Sequence, residues 1–203
     1  MESPHLSTSY TELGKSWTFL CSPRELLLVA APRGYGGVMA NITFDGNPVT
    51  TIGDLPEVGS TAPDFTLTGT DLDDVKLSDF AGKRVVLNIF PSLDTGVCAQ
   101  SVRAFNKLAE EFDNTVVVAV SMDLPFAHDR FCAAEGIDNV VTGSAFRSSF
   151  PEDYHVTMAD GPLEGLLSRA VVVIDEAGKV IYTEQVAEGK NEPDYDGAKA
   201  ALS

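Results

Sequence analysis

Cys98 is the residue of this chain best placed to do chemistry. It lies in Phe90-Pro91-Ser92-Leu93-Asp94-Thr95-Gly96-Val97-Cys98-Ala99-Gln100-Ser101, between a continuous apolar run and an amphipathic pattern. That order predicts Cys98 in the first turn of a helix, just past the carboxyl end of a buried strand. Ligands of open α/β sheets collect at that edge. A helix start carries unpaired N–H groups and positive potential, so it favours thiolate over thiol. The thiolate is the reactive form, provided that small oxidants can reach it. Thr95 precedes Cys98 by one helical turn, so its hydroxyl can point at the sulfur. Pro91 can wall the pocket and has no N–H to satisfy there. The plain alternative is a buried thiol acting as a small apolar side chain.

Cys132 falls on a second predicted helix, opened by Pro125. Consecutive βαβ elements are usually neighbours, so a Cys98–Cys132 disulfide is feasible if the Cα atoms come within about 4.4 to 6.8 Å. If the two helices are locked further apart, one must unwind first. An inert core thiol is the alternative for Cys132. Cys21 is read as non-functional. Arg169 stands at the mouth of the apolar run Ala170-Val171-Val172-Val173-Ile174. There it needs a counter-charge or an anion; a thiolate would serve, and so would one of the many surface acids. Arg103 and Arg147 compete for the sulfur, although Arg103 should face outward. His128 and His155 read as surface or packing histidines.

The elements that position these residues follow from pattern. Asp45-Gly46 between two β-rich runs, Ile42-Thr43-Phe44 and Val49-Thr50-Thr51-Ile52, is a hairpin signal. Short strands are expected at Phe65–Thr68 and Val75–Leu77, with a helical turn closed by Gly82. Arg84–Phe90 and Thr115–Ser121 are near-continuous apolar runs, the kind buried on both faces of a sheet. A helix over Val97–Phe112 places Val102, Phe105, Leu108, Ala109 and Phe112 on one stripe. The Pro125 helix should close at Gly136. A strand at Val140–Thr142, a short helix over Phe146–Tyr154, a hairpin of Ala170–Ile174 with Val180–Tyr182, and a last helix over Tyr195–Leu202 complete the chain. Strands alternating with helices define an α/β protein with a central sheet flanked by helices.

Composition removes whole classes of function. Thirty acidic residues against 14 basic ones give the 203-residue chain a formal net charge of −16. A surface that acidic repels phosphate backbones and anionic lipid, so neither nucleic acid nor membrane is an expected partner. No apolar run approaches the roughly 20 residues needed to span a bilayer. Three cysteines cannot make a secreted disulfide scaffold. Without CxxC or HExxH the sequence gives no support for a metal site. The acids Asp71, Asp73 and Asp74 lack the spacing of a calcium loop. Residues 1–38 hold three acids and three bases, so residues 39–203 carry the whole net charge. The first 38 residues have no sustained period and no convincing signal peptide. They read as a disordered or non-native extension, an upstream read-through before Met39, and the functional domain as residues 39–203.

The motif Pro91-Ser92-Leu93-Asp94-Thr95-Gly96-Val97-Cys98 fits PxxxTxxC, and with its context it resembles the peroxiredoxins, in their bacterial atypical two-cysteine thiol peroxidase branch. Asp123-Leu124-Pro125-Phe126-Ala127, Arg130-Phe131-Cys132 and Glu192-Pro193-Asp194-Tyr195 are similar to that branch as well. The resemblance runs from about Met39 to Leu202. It implies a thioredoxin-like fold with an added N-terminal β-hairpin, acting as a homodimer. It implies that Cys98 is peroxidatic and Cys132 resolving, with Pro91, Thr95 and Arg169 completing the peroxide pocket. Thioredoxin or a similar dithiol protein would recycle the disulfide, with no cofactor, metal or flavin. Phe90, Leu93 and Phe126 could favour alkyl or lipid hydroperoxides. A reducing compartment is required, and the cytoplasm is the expected one. The rival readings are a thiol–disulfide oxidoreductase, which usually has CxxC, and a peroxide-sensing relay.

Overall fold

The computed structural model describes residues 39–203; the reading of residues 1–38 and of Cys21 lies outside them. A hairpin comes first, β1 (Asn41–Phe44) paired with β2 (Asn47–Thr50). Its turn is Asp45-Gly46, with φ of 55° and 74°. Both turn residues in the left-handed region match the right-handed twist of the paired strands. The hairpin docks through β1: Thr43 N–H donates to Ala187 O at 2.7 Å, and Gly189 N–H to Thr43 O at 2.8 Å.

Seven further strands form one mixed sheet. They are β3 (Thr66–Thr68), β4 (Asp74–Lys76), β5 (Arg84–Ile89), β6 (Thr115–Ser121), β7 (Val140–Ser144), β8 (Ala170–Ile174) and β9 (Val180–Gln185), in the spatial order β4-β3-β7-β6-β5-β8-β9. The central β7, β6 and β5 are parallel, and the outer pairs are antiparallel. The helices are α1 (Gly96–Glu111), α2 (Pro125–Glu135), α3 (Phe150–Asp153) and α4 (Tyr195–Ala201). A 3-10 turn, Leu77–Phe80, links β4 to β5.

The strand sequences explain the two-sided burial. Val85, Leu87 and Ile89 pack with Phe65, Phe150 and Tyr154 on one face. Val86, Val117 and Val171 pack with Phe105 of α1 and Ala198 of α4 on the other. Each fully buried Val, Leu or Ile contributes roughly 1.5–3 kcal/mol, so these runs hold the sheet centre firmly. Pro125 stands at the first turn of α2, and Gly136 ends it in the left-handed region at φ 63°, as the sequence predicts.

The helix expected over Phe146–Tyr154 is shorter than that, with only Phe150–Asp153 helical. Pro151 has no N–H to bond back to residue 147, so the helix cannot begin a turn earlier. Arg147 instead donates from Nε to Thr68 Oγ1 at 3.0 Å and lies over the Phe146 ring. No helix among the described residues is long and apolar enough to cross a membrane.

Candidate active site

The first turn of α1 begins just past the carboxyl end of β5. Thr95 is the N-cap, yet its side chain makes no cap hydrogen bond. Its Oγ1 lies 2.7 Å from Cys98 Sγ and 3.2 Å from Ser92 O. One hydroxyl hydrogen can serve only one of these acceptors. Against an ionised sulfur it points at sulfur; against a thiol it can turn to Ser92 O and accept from S–H.

Arg169 supplies the second donor. Its Nη2 donates to Cys98 Sγ at 3.3 Å, and Nε and Nη2 both reach Gly189 O, at 3.3 and 3.2 Å. Arg169 is 3% exposed, and its Nη1 is buried without a partner among the described residues. Of the two sequence readings for Arg169, the guanidinium meets the sulfur, and no acid among the described residues lies within salt-bridge distance. Arg103 pairs with Glu135 at 2.7 Å, and Arg147 is spent on Thr68, so neither reaches Cys98.

Gly189 is itself held in place. A Cβ there would meet Phe44 Cδ2 at 2.9 Å, so glycine allows the close approach to β1. Neighbouring Glu188 accepts from the N–H groups of Gly46 and Asp45 and from Thr43 Oγ1. These bonds, the Gly46 and Lys190 N–H groups first, hold its carboxyl down to about 2. The hairpin tip thus braces the segment that orients Arg169.

Cys98 is not open to solvent. It is 0% exposed, packed with Phe90, Leu93 and Val102. The expectation of an accessible sulfur is corrected here: the first turn of α1, as folded, leaves no surface of Cys98 exposed. Pro91 is buried where the chain leaves the sheet.

Cys132 is half-buried on α2, and both thiols are free. It borders the apolar cluster that contains Cys98. Burial pushes its thiol up, Asp129 and Asp138 push the same way, and a hydrogen bond with Thr142 opposes them. A cavity of about 280 Å³ opens beside it, lined in part by Asp71, Asp129 and Thr142. A larger cavity of about 720 Å³ runs along α1 and α4, past Arg103 and Lys199, and includes neither cysteine.

A polar cluster at the same sheet edge was missed by the sequence reading. Asp123 accepts from Ser92 Oγ at 2.8 Å, Leu93 N–H at 2.7 Å and Ser121 Oγ at 2.8 Å. Ser121 Oγ also lies 3.0 Å from His128 Nε2. A carboxylate cannot donate, so the Ser121 hydrogen goes to Asp123, and His128 must donate from Nε2. Its Nδ1 is then a bare acceptor, buried and without a partner. Burial lowers His128 to about 4 against a smaller upward pull from Asp123. The packing reading of His128 holds; its place in this cluster was not foreseen. His155 bonds Asp54 O through Nδ1, away from the cysteines.

A sheet with β5 ending in a helix-borne thiol, and an arginine beside that thiol, defines a redox protein of thioredoxin-like architecture. A profile of the Redoxin family matches residues 57–199. A thiol peroxidase of Corynebacterium glutamicum is 54% identical over 165 residues, 81% of this chain and all of that protein. A thiol peroxidase of Mycobacterium tuberculosis is 58% identical over 164 residues, covering 81% of this chain and 99% of that one. Among solved structures, a peroxiredoxin-like protein from Aquifex aeolicus matches with a TM-score of 0.77 at 39% identity, covering 81% and 96% of the two chains. The chain belongs to the redoxin family, as a thiol peroxidase of the peroxiredoxin type.

Proposed function

We propose that the chain reduces hydroperoxides with Cys98 as the attacking thiolate and Cys132 as the resolving thiol. The observation that carries this reading is the sulfur of Cys98 receiving two donors, Thr95 Oγ1 and Arg169 Nη2, with Arg169 Nη1 left over for a third group. The thiolate attacks the terminal peroxide oxygen. An S–O bond forms, the O–O bond breaks, and alkoxide leaves with the bonding pair and takes up a proton. Cys98 becomes a sulfenic acid. Arg169 and Thr95 orient the peroxide and stabilise charge on sulfur and leaving oxygen, while Pro91 walls the pocket. The Cys132 thiolate then attacks the Cys98 sulfur, a disulfide forms, and hydroxide departs to become water. An external dithiol protein of the thioredoxin type restores both thiols by exchange.

Buried Phe90 and Leu93 and exposed Phe126 support acceptance of organic as well as inorganic hydroperoxides. Exposed Leu124 and Phe126 beside the site support association with a second copy. The need for a reducing thiol pool supports a cytoplasmic location. The catalytic domain is residues 39–203, and a chain begun at Met39 should keep full activity. Hydroperoxide-dependent NADPH oxidation with thioredoxin and thioredoxin reductase tests the reading. Cys98→Ser should abolish turnover, and Cys132→Ser should abolish recycling by thioredoxin. Full turnover in Cys98→Ser would end the proposal.

A further inference from the structure

The two thiols are anchored to different parts of the sheet. Cys98 bonds Arg169, which enters β8, whereas Cys132 lines a cavity with Thr142 of β7. Strands β7 and β8 are three places apart, about 14 Å at the spacing of neighbouring strands. Both thiols are free, and a disulfide needs their Cβ atoms within about 3.5 to 4.5 Å.

A continuous hydrogen-bonded chain joins α2, which carries Cys132, to the segment that leads into the Cys98 turn. It starts on α2 at His128, one turn before Cys132 on the same helix, and passes to Ser121 at 3.0 Å and to Asp123 at 2.8 Å. It continues to Ser92 at 2.8 Å, and Ser92 O lies 3.2 Å from Thr95 Oγ1, the group on the Cys98 sulfur. His128 and Ser121 are buried, at 1% and 0% exposure. Buried polar links of this kind stabilise one arrangement and are costly to leave half made. Asp123 alone gathers three donors, two of them from the loop that carries Thr95.

We propose that the His128–Ser121–Asp123–Ser92 chain is a latch holding the Cys98 loop against α2, so that Asp123 and His128 are positioning residues that set how long the sulfenic acid stays out of reach of Cys132. This rests on the reading of Cys98 and Cys132 as the reacting pair. While the latch is closed, the sulfenic acid has one competing fate. As sulfenate it attacks the terminal oxygen of a second hydroperoxide, a second S–O bond forms, the O–O bond breaks, and alcohol departs to leave sulfinic acid. Closure favours that fate, and opening favours the disulfide.

The test is quenched-flow mass spectrometry of the full chain after cumene hydroperoxide addition, counting disulfide against sulfinic acid at Cys98. His128→Leu and Ser121→Ala break the chain while keeping its bulk nearly constant. Each should raise the disulfide-to-sulfinate ratio by about fivefold to tenfold, the factor that one buried hydrogen bond is worth. His128→Gln restores a donor to Ser121 and should return the ratio toward that of the unsubstituted protein, which a general loss of packing would not do. Ser92→Ala cuts the same chain at its half-buried end, so the test stands even if a core variant does not fold. An unchanged ratio in folded His128→Leu, Ser121→Ala or Ser92→Ala overturns the latch. If the unsubstituted protein gives neither product at Cys98, the peroxidase reading itself has failed.

Discussion

His128 makes the stability of this protein depend on acid in a way that one substitution should remove. The ring is 1% exposed, and burial holds it to about 4, from an ordinary value of 6.5. The unfolded chain therefore takes up a proton near pH 6.5 that the folded chain refuses until about pH 4. Across that window the unfolded state binds more protons, so stability falls as pH falls. Each pH unit of displacement is worth about 1.4 kcal/mol, and the whole gap amounts to about 3 kcal/mol by pH 4. Above pH 6.5 both states are neutral and nothing is lost. His128→Gln keeps a donor for Ser121 but cannot titrate. Urea unfolding of both proteins at intervals from pH 7.5 to 4 gives the comparison, and acid effects shared by the carboxylates cancel in the difference. The unsubstituted protein should lose about 3 kcal/mol more than the variant between those limits. A difference that stays flat to within about 0.5 kcal/mol would show that His128 is not buried neutral, and the bare acceptor assigned to its Nδ1 would fall with it.

Four further outcomes can be checked. Thr95→Val removes the hydroxyl from the sulfur and should lower the rate of Cys98 oxidation by about 10- to 100-fold in stopped flow, the worth of a hydrogen bond to a charged group. Arg169→Met keeps the length of the side chain without its donors and should cost about 10²- to 10³-fold in peroxide reduction. Asp129→Asn removes a charge that holds the Cys132 thiol protonated, so disulfide formation at neutral pH should quicken and its rise with pH should begin lower. Gly143→Ala would place a Cβ 2.6 Å from Leu67 Cδ1 and should lower stability by about 1–3 kcal/mol in chemical unfolding.

Local relations were legible in the sequence, and relations across the sheet were not. Thr95 and Cys98 meet because one helical turn separates them, so spacing alone sufficed. The apolar runs at 85–89, 116–120 and 170–174 name their own burial. Pro125 and Gly136 mark the ends of α2 by what their backbones permit. Arg169 stands 71 residues from Cys98, and nothing in the spacing predicts their contact. Only its position before a buried strand, together with the family resemblance, raised it. The Asp123 cluster was hidden for a definable reason. Ile89 pairs with Val120 in the parallel register of β5 and β6. Ser92 and Asp123 each stand three residues beyond that pair, so register makes them neighbours. Sequence pattern gave the strands without their register, and without it a serine and an aspartate in separate loops carry no signal.

The two donors on the Cys98 sulfur differ in what holds them, and this makes the two chemical steps separable. Thr95 caps the helix whose first turn carries Cys98, so it travels with that turn. Arg169 is fixed from the other side, by Gly189 O and by the hairpin that braces Gly189. When the loop leaves Asp123, the sulfur therefore keeps Thr95 and loses the guanidinium. That loss suits the chemistry, because disulfide formation expels only hydroxide from sulfur, whereas the competing sulfinate formation breaks a second peroxide bond beside the guanidinium. Arg169→Met should then slow both steps that break an O–O bond, oxidation of Cys98 and the onward oxidation of its sulfenate, and raise the disulfide-to-sulfinate ratio without changing the rate of disulfide formation. Variants of Ser121 or His128 should move the ratio far more than the oxidation rate. A variant of Arg169 that changed the rate of disulfide formation as strongly as Ser121→Ala would mean that the guanidinium moves with the loop, contrary to its anchoring at Gly189.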